Sequence, residues 1–139
     1  MIDTMPLLFL LGILIVGVLL FVVILLTRRS PKTLNREKYQ SDWLNIEQSL
    51  TKDSGSWQLA VMNADKLLDR ALKERGFKGS TMGERLASAG RSFSKCDAVW
   101  AAHKLRNRLA HEDTVKLTPK LTRQALTSIK YGLKDLGAL

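Results

Sequence analysis

The sequence predicts an all-α protein, with one N-terminal transmembrane helix followed by a bundle of four to five helices. Three observations predict it. Residues 6–26, Pro6 to Leu26, contain no charged side chain. At 1.5 Å per residue a helix of that length reaches about 31 Å, the depth of a bilayer's hydrocarbon core. Beyond it, apolar residues recur at spacings of three and four, and no stretch sustains the period-two alternation of a strand. Capping residues and glycines fall where those periodic segments begin and end.

The apolar run is expected to be an uncleaved single-pass anchor whose partner is the lipid bilayer. A cleavable signal peptide needs a basic start, a shorter apolar stretch and a small-residue cleavage site. Here the external tail, residues 1–5, carries only Asp3, and the run ends Ile24-Leu25-Leu26-Thr27-Arg28-Arg29, a stop-transfer pattern. The paired arginines follow the run, so they are no twin-arginine export signal. The span holds no ionisable residue of the kind that transport requires. Gly12 and Gly17 are five apart, which gives no GxxxG pairing face.

Orientation follows from the basic residues. Arg28, Arg29, Lys32, Arg36 and Lys38 stand against the single Glu37 after the span, and no Lys or Arg precedes it. The positive-inside rule then places the N-terminus outside and the C-terminal domain in the cytoplasm, at the cell inner (cytoplasmic) membrane. Residues 27–34 read as a basic juxtamembrane linker, with Pro31 blocking helix continuation. Its charge suits anionic lipid.

Residues 35–139 read as the cytoplasmic helical bundle, and each element has a local reason. From Asn35 to Thr51, Tyr39, Trp43, Ile46 and Leu50 share one helical face. A second helix runs from Ser56 to Arg75, burying Trp57, Ala60, Val61, Ala64, Leu67, Leu68 and Ala71, with Gly76 as its stop. Thr81 and Glu84 fit a capping box that opens a short helix to Ala89. Ser94 and Asp97 repeat the pattern before a helix to about Glu112, with Cys96, Val99, Trp100, His103 and Ala110 near one face. Thr118 as N-cap and Pro119 at the first position open the last helix, which buries Leu121, Ala125, Ile129, Leu133 and Leu136 and ends at Gly137.

Charge and cysteine content narrow the function classes. Residues 39–139 carry seventeen Lys and Arg against eleven Asp and Glu, an excess that suits an acidic partner such as RNA. The single cysteine, Cys96, excludes an internal disulfide and a cysteine-based zinc site. No phosphate-binding glycine loop, nucleophile elbow or paired-carboxylate hydrolase site is present, and no cofactor or metal is expected. His103 and His111 are eight residues apart, about 12 Å along a helix and too far for one ion. His103 lies on the side of Trp100 and reads as a core histidine. Asp65 and Asp69 have the spacing of metal-binding carboxylates, but Asp69 and Lys73 already form an i, i+4 pair.

The stretch from Trp100 to Asp113 is unusually polar for a bundle helix. Arg106, Asn107 and His111 are the residue types needed to handle a phosphodiester: a guanidinium fork for phosphate oxygens and an imidazole that moves protons near neutral pH. Arg106-Asn107-Arg108-Leu109-Ala110-His111 resembles the Arg-x4–6-His signature of HEPN domains in its Arg-Asn-x3-His form. The resemblance spans about residues 35 to 137 and implies a HEPN-like bundle that pairs as a homodimer, with two motifs meeting across a two-fold axis.

Many such domains are metal-independent ribonucleases of toxin, antiviral or RNA-processing systems. Carried over, His111 would serve as general base or acid for attack by a ribose 2′-OH. Arg106 would stabilise the phosphoryl oxygens, and Asn107 would orient His111 or the phosphate. The stretches Ala64–Asp69, Gly79–Leu86 and Val99–Asn107 also resemble a group of uncharacterised bacterial single-pass membrane proteins.

Two function classes remain open from the sequence. The favoured one is a membrane-anchored interaction or binding module, non-catalytic, whose polar helix is structural or engages a nucleotide or a cytoplasmic protein. The alternative is an endoribonuclease acting on RNA through Arg106, Asn107 and His111. Glu112 and Asp113 place negative charge beside the proposed phosphate site, which weighs toward the module.

Overall fold

A computed structural model describes residues 4–27 and 32–139. The first three residues of the tail and residues 28–31 of the basic linker lie outside the described residues. The described chain is all-α: α1 (Thr4–Thr27), α2 (Arg36–Gln48), α3 (Ser54–Glu74), α4 (Met82–Ala89), a 3-10 turn (Gly90–Ser92), α5 (Cys96–His111) and α6 (Pro119–Asp135). No strand occurs among the described residues. The chain divides into two compact units, one built on α1 and one from Lys32 to Leu139.

α1 is apolar on every side and buries none of its residues. A helix of this kind cannot satisfy itself as a surface helix of a soluble domain, which needs only one apolar stripe. It is the one described helix long and apolar enough to cross a membrane.

In the second unit α3 is the central element and packs against α2, α4, α5 and α6, while α5 and α6 also lie against each other. The core contains Tyr39, Trp43 and Ile46 from α2, and Val61, Leu68 and Leu72 from α3. Leu86 of α4, Val99 of α5 and Ile129 and Leu133 of α6 belong to it as well. Each such aliphatic side chain contributes about 1.5–3 kcal/mol on burial. Close approach of α6 to its neighbours rests on Gly132, where an added Cβ would stand 3.3 Å from Val99 and 3.4 Å from Leu68 and Phe93.

Local signals set most helix ends. Asn35, Thr81 and Thr118 each accept a hydrogen bond from the backbone N–H three residues on, capping α2, α4 and α6. α3 ends in a Schellman motif: Gly76 adopts φ +84°, Gly76 N–H donates to the Lys73 carbonyl and Phe77 N–H to that of Leu72. α6 ends the same way through Gly137.

Several boundaries differ from the sequence expectation. The Glu84 carboxylate accepts from the backbone N–H and hydroxyl of Ser80, at 2.6 and 2.7 Å, instead of closing the box on Thr81. Ser94 is not the cap of α5. Its N–H and hydroxyl both donate to Asp135 of α6, and Lys95 takes the capping position without a side-chain bond. A tertiary partner has displaced a local one. Leu50 falls beyond α2, and Trp57 is only partly buried because its indole N–H reaches out to the Thr51 carbonyl.

Candidate functional site

The polar face of α5 meets a buried carboxylate on α3. His103, Arg106 and Asn107 stand at i, i+3 and i+4, so they share one helical face. Opposite them Asp65 is 2 % exposed, and His103 is 7 % exposed. His103 Nδ1 lies 3.0 Å from Asp65 Oδ1 and 3.3 Å from Oδ2. Arg106 Nε lies 3.5 Å from Asp65 Oδ2, an ion pair. Arg106 Nη1 donates to Asn107 Oδ1 at 3.1 Å, and Asn107 Nδ2 lies 3.2 Å from His103 Nε2. The four side chains form a closed ring.

The ring assigns its own protons. Because Arg106 has only donors, Asn107 must turn its oxygen to Arg106 and its NH2 to His103. His103 Nε2 then accepts, which leaves the proton on Nδ1, aimed at Asp65. Three of the four links are hydrogen bonds; the fourth, Arg106 to Asp65, is an ion pair in which Arg106 Nε makes no hydrogen bond among the described residues. This is how a carboxylate can stay buried: an unpaired charge there would cost several kcal/mol, whereas a paired and hydrogen-bonded one is tolerated.

His111 stands outside the ring. It is the last residue of α5, is exposed, and takes part in no hydrogen bond or ion pair among the described residues. Asn107, expected to orient His111 or the phosphate, is bonded to His103 and Arg106. Of the three residues read from the motif, the structure joins Arg106 to Asn107 and leaves His111 unattached. Glu112, the residue after His111, pairs with Arg108 at 3.3 Å.

Asp65 and Asp69 serve different partners. Asp69 accepts from Arg85 Nε at 2.7 Å and pairs with Lys73 Nζ at 2.9 Å. Arg85, itself buried, also donates to the Gly79 carbonyl at 2.7 Å and so docks α4 on α3. Burial alone would raise the Asp69 pKa, but hydrogen bonds from Lys73 and Arg85 outweigh it and hold the group below its ordinary range. Among the described residues no three His, Cys, Asp or Glu side chains gather as a metal site.

Sequence reading missed Asp65 as a partner of His103, since 38 residues separate them. The available signal was the His-x2-Arg-Asn spacing, which puts three polar groups on one face of a bundle helix and demands a polar or charged partner opposite.

Two cavities flank α6. One, of about 650 Å³, is lined by Trp43, Trp57 and residues of the N-terminal half of α6; the other, of about 860 Å³, lies along the α5–α6 groove. Neither includes Arg106, Asn107 or His111. Comparison with protein-family models, with curated proteins and with solved structures returned no match to this chain.

Proposed function

We propose that this protein is a non-catalytic interaction or binding module, anchored in the cytoplasmic membrane by α1 with its helical unit on the cytoplasmic side. One observation carries the reading: Arg106 and Asn107 are committed to Asp65 and His103 within the chain, while His111 has no link to them. A phosphodiester site needs its guanidinium and imidazole free to meet one phosphate. Here the guanidinium balances a buried carboxylate, a structural task. The basic residues after the span supply the orientation.

The second reading, a metal-independent ribonuclease completed by a HEPN-like homodimer, draws on the exposure of His111 and the partial exposure of Arg106. The experiment that separates the two incubates the full chain, in neutral detergent micelles with EDTA, with mixed RNA beside its His111→Ala variant. The module predicts intact RNA in both. Cleavage by the parent that the variant loses would overturn the module and establish the nuclease.

A further inference from the structure

The cavity of about 650 Å³ between α2, the start of α3 and α6 has the size of a small-molecule site, for which about 300–1,000 Å³ is typical. Its apolar lining is Trp43, Leu50, Trp57, Pro119 and Leu126. Both indole N–H groups are already used, that of Trp43 on Glu47 Oε1 at 2.7 Å and that of Trp57 on the Thr51 carbonyl at 2.7 Å. Neither indole has a free donor; half-buried Trp57 presents apolar ring surface, while Trp43, 4 % exposed, forms the floor, which favours a flat apolar guest.

The rim is charged and unbalanced. Glu47 is answered by Lys130, whose Nζ lies 3.0 Å from Oε1 and 5.6 Å from the centre of the Trp43 ring. Lys52 and Arg123 also line the cavity, are exposed, and have no carboxylate partner among the described residues. Two cations thus remain beside an apolar chamber, one of them a guanidinium whose planar fork fits a carboxylate or phosphate.

From this juxtaposition we infer that the cavity binds a small aromatic anion, a planar ring carrying one carboxylate or phosphate group. The ring lies against Trp57 with its edge over the floor at Trp43, and the anionic group meets Arg123 and Lys52. The site is separate from the Asp65–His103 ring and does not depend on whether the protein cleaves RNA.

The chain has three tryptophans, and the third, Trp100, lies outside this cavity. The test therefore follows the three indole N–H signals by NMR on nitrogen-labelled full-length protein in neutral micelles. The probes are naphthoate, naphthyl phosphate and the uncharged naphthalenemethanol. The expected result is a saturable shift of the Trp43 and Trp57 signals with Trp100 unmoved, and binding of the better anion at least about tenfold tighter than the alcohol.

Arg123→Gln, an exposed substitution that leaves the core intact, removes most of that preference and leaves the alcohol unaffected. Whichever anion binds more tightly names the group. Equal binding of the alcohol, uniform shifts of all three indoles, or an unchanged affinity in Arg123→Gln would each overturn the assignment.

Discussion

Asp65 and His103 are 38 residues apart in the chain and meet at 3.0 Å in the interior, between the middle of α3 and the middle of α5. Their pairing explains why a bundle helix tolerates His103, Arg106 and Asn107 on one face. His103 hydrogen-bonds the buried carboxylate, Arg106 balances its charge, and Asn107 links the two. The pair also gives a mechanical reason for the order of α3 and α5, because the ring closes only in one register of the two helices.

The coupling of the pair is measurable. His103→Leu leaves Asp65 short of a partner and is expected to cost about 1–3 kcal/mol, as is Asp65→Leu. The double variant should cost less than the two together, since an apolar pair of similar volume leaves nothing unsatisfied. Denaturant unfolding of the full-length protein in micelles, followed by tryptophan fluorescence, supplies the cycle. Strict additivity would show that the two groups do not interact.

The two ends of the Arg-Asn-x3-His motif should behave differently. Arg106→Ala loses an ion pair with Asp65 and a hydrogen bond to Asn107, an expected loss of about 1–2 kcal/mol. His111→Ala removes an exposed side chain that has no partner among the described residues and should stay within about 0.5 kcal/mol of the parent. The same unfolding assay reports both. A large loss for His111→Ala would mean that the histidine is structurally engaged.

Gly79 holds φ at +152°, and a Cβ added there would fall 2.6 Å from the backbone nitrogen of Arg85 and 2.7 Å from Glu84 Cβ. Backbone cannot yield as a flexible side chain does. Gly79→Ala is expected to destabilise the unit by about 1–3 kcal/mol and to loosen α4. Faster amide exchange across Met82–Ala89 than in the parent would register it, and unchanged protection would contradict the account.

Asp69 adds a pH dependence with a definite sign. Its folded pKa lies below its unfolded one of about 3.9. The stabilisation is therefore fully present above that value and is lost as pH falls through it toward the folded value. Glu47, held low by the hydrogen bond from Lys130, contributes in the same direction. In Asp69→Asn the drop in unfolding midpoint between pH 7 and pH 3 should be smaller than in the parent. An equal drop would assign the acid sensitivity elsewhere.

Much of the architecture was legible because its causes are local. A charge-free run announces α1. Thr118-Pro119 opens α6, Gly76 closes α3, and the three-and-four spacing of Tyr39, Trp43 and Ile46 marks the buried face of α2. These signals act within one or two turns, so reading along the chain is enough. Ser94 shows where that reading fails. Its local pattern matched a cap, but Asp135, 41 residues away, accepts both its hydrogen bonds.

The sequence by itself determined that the described chain is helical, where most of its helices start and stop, and that one of them is suited to lipid. It also marked the polar stretch around Arg106 and Asn107. Only the tertiary structure decided what that stretch does. Whether Asn107 turns toward His111 or back to His103 depends on the carboxylate waiting opposite on α3. That Trp43 is buried in the core while Trp57 stays half-buried depends on how α2 and α6 each pack on α3. Both are set by the packing of helices far apart in the chain, and no local pattern encodes the distance between two side chains that meet across such an interface.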